Sequence, residues 1–505
     1  MVDMNQLDTL IDIWRSVLQV DEVKPDDNFY DLGGDSLTAV RISELATRAG
    51  ILVGQEDLML ADSVAELAAR VGPVTPPRRP AESARVPLLP SQLRFLHQEN
   101  RSTERYNGVA WFRPAEDLPV DRLVTALTAV AERHEAFRLV IGHDDDGWHG
   151  RVADRPGLPP VLVRELPADT TEETLGQILE ETHREVGPAA GALARFVVLD
   201  FAAPRRREVL IVVHHLIYDV FSWATITADL ERALAGAALT PPTISYRSWA
   251  ALLAEAASGP LAAERARYWR TRPWDRLAAV PVDLDGERTF ASVQVASRRL
   301  PAAQTRQLRR SVSGRTARDV FIGTLCDVWR SWLDTSTIAV DMYGPGRELP
   351  GFGTVGDIVG WLAAIDPLVV DLGAVNDTSG SVAAVARARA AMPGDALGFL
   401  ALRWLADPRI AAQLAELPQP ELYVNYRGGP AAPPPASIAE VDRGAGLWRL
   451  PHGLQPYNLE VTADVVDGEL VIGWHYSLAA YRPATVDRLA DQHLRTLATF
   501  LERQW

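Results

Sequence analysis

Apolar residues recur at helical spacing from the first turns of the chain. Leu7, Leu10, Ile11, Trp14, Val17 and Leu18 share one face of a helix with a repeat near 3.6. The stretch "DNFYDLGGDS" breaks that pattern with paired glycines, Gly33 and Gly34. A second helical pattern follows through Leu37, Val40 and Leu45. Ser63 and Glu66 in "SVAEL" stand at capping-box spacing ahead of another apolar helix. Residues 1–72 therefore predict a small all-helical unit.

The pattern then changes. "VGPVTPPRRPAESARVP" carries Pro73, Pro76, Pro77, Pro80 and Pro87, a composition that suits a semi-extended linker and places one at residues 73–86. Further on, "REVLIVVHHLI" is a β-branched run typical of a buried strand, and "ELVIGWHYS" predicts another. "VDRLVTALTAVAERH" has an amphipathic helix pattern. So does "ATVDRLADQHLRTLATFLERQ", with Leu489, Leu494, Leu497 and Leu501. Residues 87–505 are too many for one ordinary core and predict two α/β lobes, about 87–260 and 261–505. "GGPAAPPPAS" at 428–437 reads as a loop inside the second lobe.

Composition narrows the function classes. The 505 residues carry 51 Lys and Arg against 66 Asp and Glu, a net charge of −15, which argues against a nucleic-acid binder. The one cysteine, Cys326, excludes an internal disulfide and fits a reducing, cytoplasmic setting. Its apolar, helix-like surroundings favour a buried structural thiol over a nucleophile. The sequence contains no uncharged apolar run of transmembrane length.

Two short motifs carry the candidate chemistry. In "LGGDSLTAV", Asp35 and Ser36 lie between a glycine turn and a helix start. The positive end of the helix dipole there suits a serine that receives a phosphate-containing group. Spacing alone favours a simpler reading, in which either residue caps the helix. In "VVHHLIYDVFSW", His214, His215 and Asp219 sit in an apolar segment. Adjacent strand residues point to opposite faces, so the two imidazoles diverge and a metal site is disfavoured. Acid–base chemistry and a pair of satisfied core histidines both remain open on the residues alone.

"DNFYDLGGDSLTAVRI" closely resembles the modification site of peptidyl carrier proteins, the thiolation domains of nonribosomal peptide synthetases. The resemblance implies a four-helix carrier whose Ser36 bears a 4′-phosphopantetheine arm, with Asp35 beside it. The substrate is then an aminoacyl or peptidyl thioester. The remainder of the chain resembles the condensation superfamily over its whole length, through "RHEAFRL" at 133–139 and the active-site pattern HHxxxD in "HHLIYDVFSW". That resemblance implies two chloramphenicol-acetyltransferase-like lobes in a V, with a tunnel between them. It makes His215 the catalytic histidine and His214 mostly structural. Asp219 is expected to pair with Arg138 and shape the loop.

Several segments resemble the epimerisation branch. Ser222 and Trp223 match HHxxxDxxSW. "VGWLAAIDPL" from Val359, "PGDALGFLALRWL" from Pro393 and "YVNYRG" from Tyr423 each resemble a branch motif. One departure stands out. Where the branch has EGHGRE, with a first glutamate regarded as the second acid/base, this chain has "YGPGRE", so Tyr343 takes the glutamate's place. A phenol with an ordinary pKa near 10 donates a proton readily but is a poor base. Three activities stay open: Cα epimerisation with His215 and Tyr343, amide or ester bond formation or divergent chemistry, and a silent domain that recruits partners. The resemblance also implies partners: a phosphopantetheinyl transferase, an adenylation domain or protein that loads Ser36, and neighbouring synthetase modules.

Overall fold

The computed structural model describes residues 4–34, 36–74, 84–98, 103–115, 117–145, 147–153, 161–202, 206–310, 316–393, 395–427 and 438–503. Asp35, most of the expected linker and the 428–437 loop lie outside the described residues.

Four helices form the N-terminal unit: α1 (Met4–Leu18), α2 (Ser36–Arg48), α3 (Gln55–Leu60) and α4 (Val64–Arg70). The apolar face of α1 is the one that packs inward. Leu10 and Trp14 are fully buried against Phe29, Ile42, Leu58 and Leu67, with Leu7, Ile11, Val17 and Leu18 around them. Ser63 caps α4 by accepting from the Glu66 N–H at 3.2 Å. The Glu66 carboxylate reaches back to the Asp62 N–H at 2.8 Å, one residue beyond the reciprocal partner a capping box uses. Gly33 takes φ +91°, and a Cβ on Gly34 would lie 2.3 Å from the Phe29 ring, so both glycines are demanded by the turn before α2.

The first lobe contains α5 (Pro90–His97), β1 (Asn107–Pro114), α6 (Val120–Arg133), β2 (Val161–Leu166), β3 (Ala194–Phe201), β4 (Arg206–His214) and α7 (Val220–Leu234). Its sheet runs β1–β4–β3–β2, and the short strand Ile438–Glu440 from the far half of the chain adds to β1 at the edge. β4 is buried on both faces: Val209, Ile211 and Val213 enter one core, Leu210 and Val212 another. That double burial is why its sequence reads as a continuous apolar run. The helix Leu261–Arg270 lies at the junction of the lobes: Ala262, Ala266 and Trp269 join a core cluster that draws on both, and Trp269 donates to the Pro367 carbonyl at 3.2 Å.

The second lobe is a six-stranded sheet. Its strands are β5 (Val293–Leu300), β6 (Thr337–Gly344), β7 (Ala364–Asp371), β8 (Leu422–Tyr426), β9 (Leu459–Val466) and β10 (Glu469–Ser477). Their order is β7–β6–β8–β9–β10–β5. The helices α8 (Ala317–Leu333) and α9 (Pro483–Arg503) cover one face. Among the described residues, no helix is long and apolar enough to cross a membrane.

Cys326 sits in α8 at 0% exposure, and burial pushes its thiol up to about 12. A thiol reagent should therefore leave the folded chain unlabelled and react only as the second lobe unfolds, read by mass against denaturant. Rapid stoichiometric labelling under native conditions would contradict this packing.

Candidate active site

β4 ends at His214, and the chain turns through a short 3₁₀ segment, His215–Ile217, into α7. The strand ends between the two histidines, and their roles separate there. His214 is fully buried. Its Nε2 bonds the Thr103 carbonyl at 3.0 Å and its Nδ1 accepts from the Leu216 N–H at 3.2 Å, so both ring nitrogens hold the turn. Burial lowers its pKa to about 4, which keeps it neutral.

His215 is half-buried and stands among aromatic rings from both lobes. Tyr106 stacks on it at 4.2 Å between ring centroids, Trp361 lies at 4.3 Å and Tyr218 at 4.5 Å. Its backbone N–H bonds the Tyr106 carbonyl at 2.7 Å. Its Nδ1 has no hydrogen-bond partner among the described residues. Burial lowers its pKa to about 3, and the nearby Arg449 charge acts in the same direction. The imidazole is thus a neutral base in an apolar setting.

Asp219 caps α7 and gathers donors from both lobes. Its carboxylate accepts from Ser222 N and Oγ at 2.9 Å each, from Arg347 at 2.7 Å, and from Leu362 N and Ala363 N at 3.1 and 3.2 Å. Ser222 also bonds the backbone of Gly360, accepting at 3.1 Å and donating at 3.0 Å. Trp223 packs edge-on against Tyr218 at 5.5 Å. These contacts consume Asp219 and Ser222 in holding the loop, whereas the His215 Nδ1 keeps no partner among the described residues.

The expected Asp219–Arg138 pair is not formed. Arg138 ends a 3₁₀ turn and donates to the Ala153 carbonyl at 2.8 Å, bracing the hairpin that follows. The partner is Arg347, 0% exposed, which also donates to the Ile358 carbonyl at 3.0 Å. Arg347 reaches inward because Gly346 before it takes φ +61° and lets the chain pass close to Leu362, where a Cβ would meet the carbonyl oxygen at 1.9 Å.

Tyr343 stands near the end of β6. It lines a cavity of about 460 Å³ between α3 of the carrier unit and the second lobe, and His215 is not among the cavity's lining residues. Burial, reinforced by the Asp219 charge, raises its pKa well above 10, so it stays a neutral phenol. Gly54, Gln55 and Met59 form the carrier side of this cavity; Phe221 and Arg318 lie opposite. The carrier unit is held there by ion pairs of Arg48 with Asp357 and of Arg389 with Glu56. The Thr354 N–H adds a hydrogen bond to Thr47 at 3.0 Å.

Ser36 opens α2 directly after the glycine turn. Arg309 of the second lobe donates to the Gly34 carbonyl at 2.7 Å and Arg310 pairs with Asp31 at 3.3 Å, so cations flank the helix start. A helix N-terminus and flanking arginines together fit an anionic arm on Ser36. Among the described residues, no His, Cys, Asp and Glu cluster could hold a metal. Sequence reasoning gave no role to Tyr106, Trp361, Arg347 or Arg449. Trp361 and Arg347 lie in segments already singled out, but Tyr106 and Arg449 have no motif to mark them.

A helical carrier held against a two-lobed domain, with a histidine among rings from both lobes, defines a class: a domain that acts on a carrier-bound substrate. The comparisons agree. Residues 82–504 match the condensation-domain family and residues 8–71 match the phosphopantetheine attachment site, so the chain belongs to the condensation-domain family and carries covalently attached 4′-phosphopantetheine on its N-terminal domain. It is similar to a linear gramicidin synthase polypeptide of Brevibacillus parabrevis, 27% identical over 98% of this chain and 10% of that protein. Chondramide synthase cmdD of Chondromyces crocatus is 26% identical over 97% of this chain and 13% of its own. The chain thus spans about a tenth of the length of these relatives, and it is a carrier and condensation-superfamily pair of the nonribosomal peptide synthetase kind.

Among solved structures, the epimerization domain from the third module of tyrocidine synthetase B aligns with a TM-score of 0.72 at 21% identity, covering 85% of this chain and 99% of that one. The X-domain from teicoplanin biosynthesis aligns with a TM-score of 0.66 at 20% identity, covering 85% and 97%. Both likenesses establish the two-lobed fold.

Gly346→Ala should displace the Arg347 loop and destabilise the protein by about 2 kcal/mol or more, from left-handed backbone strain plus the clash. Chemical denaturation checks this; an unchanged midpoint would mean that the loop is not held against Leu362.

Proposed function

We propose that the condensation-superfamily domain epimerises the Cα of an aminoacyl or peptidyl residue carried as a thioester on Ser36, with His215 moving the proton. The 4′-phosphopantetheine arm supplies the thioester linkage, whose carbonyl acidifies the Cα–H. The protein's part is to bring that carbon to a base in a water-poor cavity. His214, Asp219 and Ser222 fix the loop, and Tyr106, Trp361 and Tyr218 exclude water around the His215 ring. A neutral imidazole there accepts the Cα proton directly. Arg309 and Arg318 stand where they would steady the phosphate end of the arm. Loading falls to a phosphopantetheinyl transferase and an adenylation domain or protein elsewhere in the assembly.

The observation that supports this reading most is the division of the motif: every partner of His214 and Asp219 is structural, while His215 keeps a free nitrogen among rings from both lobes. A second reading draws on Tyr343. A phenol held neutral where the branch has a carboxylate suits a domain in which His215 orients an attacking amine or alcohol at the thioester carbonyl.

Loading Ser36 with an aminoacyl-pantetheine in heavy water separates the two. Epimerisation should incorporate Cα deuterium with inversion, and His215→Ala should lose inversion by about 100-fold or more. A wild-type chain that leaves the Cα–H untouched, yet forms product when an acceptor amine or alcohol is added, would establish the second reading.

The pH profile gives a further check. A histidine ordinarily titrates near 6.5, but His215 is lowered to about 3, so its basic form persists as pH falls through neutrality. The kcat/KM for Cα exchange should show no His215 limb between pH 7.5 and 5.5. A tenfold fall per pH unit across that window, absent when His215 is replaced, would contradict the burial argument.

A further inference from the structure

The face of the second-lobe sheet turned away from its helices carries polar groups in register. Along β8, Leu422, Val424 and Tyr426 are buried in the core while Tyr423 and Asn425 are half-buried. Along β9, Leu459, Val461 and Ala463 are buried and Glu460 and Thr462 are half-buried. Strand pairing sets Asp341 opposite Tyr423, Tyr423 opposite Glu460, and Glu460 opposite His475, one row across four strands. This face meets the first lobe: Arg94 of α5 reaches over to Asp341 at 3.2 Å and to the Tyr457 hydroxyl at 2.5 Å.

Glu460 is the carboxylate of this row that borders the histidine's surroundings. Gln455 hydrogen-bonds to it, and the Arg449 guanidinium is the charge next to it. Arg449 lies 4.1 Å above the Tyr106 ring, and His215 stacks on that same ring at 4.2 Å. Both Arg449 and Glu460 act electrostatically on the Tyr106 hydroxyl. Arg449 thus links the two groups: it lies over the ring on which His215 stacks, and its charge acts on the Glu460 carboxyl. Tyr343 lines the carrier-side cavity, and the Asp219 charge acts on its phenol.

We propose that Glu460 is the second acid/base group of the site, acting on the substrate Cα opposite His215 and supplying the carboxyl that position 343 lacks. The inference rests on the epimerisation reading above. In one direction, His215 takes the Cα proton and the C–H electron pair moves into the adjacent thioester carbonyl as an enolate. The Glu460 carboxyl then gives its proton to the opposite face of Cα, and the electron pair returns to form the new C–H bond. The site is left with an imidazolium and a carboxylate. Exchange with water removes the proton from the first and restores one to the second. Burial raises the Glu460 pKa, which favours a group that holds a proton to give, and Arg449 opposes the shift by favouring the carboxylate that results. Arg449 equally disfavours the imidazolium.

The test uses the whole chain, loaded on Ser36 with L- or D-aminoacyl-pantetheine in heavy water. Wild-type protein should invert either enantiomer and incorporate deuterium. Glu460→Gln should lose inversion by about 100-fold or more while still exchanging the Cα–H of one enantiomer with retention, because His215 can remove a proton and return deuterium to the same face. Retained one-sided exchange also shows that the variant is folded, and Glu460→Asp should restore part of the inversion. Inversion by Glu460→Gln within a few-fold of wild type would overturn the assignment while leaving epimerisation intact. Loss of exchange from both enantiomers in Glu460→Gln would overturn it too, assigning Glu460 to positioning. A wild-type chain that exchanges neither enantiomer would remove the epimerisation reading itself.

Discussion

The site depends on a fully buried ion pair that joins the lobes. Asp219 begins α7 in the first lobe and Arg347 comes from the second, and both are shielded from water. Burying two charges is costly unless every donor and acceptor is matched, and a lone partner left behind costs several kcal/mol. Here the carboxylate is matched almost completely, by Arg347, Ser222 and two backbone N–H groups of the 359–363 segment. That segment also brings Trp361 against His215. This electrostatic knot therefore holds the turn after β4 and the segment that packs Trp361 on His215.

The carrier unit uses weaker links. Its contacts include ion pairs and hydrogen bonds in which one partner is partly exposed and the other largely buried: Arg48 with Asp357, Glu56 with Arg389, Arg309 with the Gly34 carbonyl. Half-exposed pairs contribute modestly and are screened by salt. A permanent core binds the two lobes, and a polar interface binds the carrier. That contrast suits a domain that must present its arm here and elsewhere in a longer assembly.

Much of this was legible in the sequence, and the limits have physical causes. The helical repeat of α1 and the apolar run of β4 are read directly because burial on one face or on both leaves a period in the residues. Strand geometry disfavoured a metal, since adjacent side chains diverge, but the division of roles between His214 and His215 came from the family resemblance and not from the residues alone. The partner of Asp219 did not follow. Arg138 stands in a motif and Arg347 lies 128 residues beyond Asp219, and which guanidinium reaches the carboxylate is decided by the φ of Gly346, a backbone property that no local pattern encodes. Glu460 was invisible for a similar reason. In β9 it is one polar position in an ordinary alternation, and its significance comes from the strand register and from Arg449, which approaches from a loop with no motif.

The tie between the lobes is tested most directly by a double-mutant cycle on Asp219 and Arg347, with unfolding free energies measured for Asp219→Asn, Arg347→Met and both together. The coupling should be about 2 kcal/mol or more, and the same cycle with Arg138→Met in place of Arg347→Met should return close to zero. A coupling near zero for Arg347, or a larger one for Arg138, would contradict the arrangement on which the site rests.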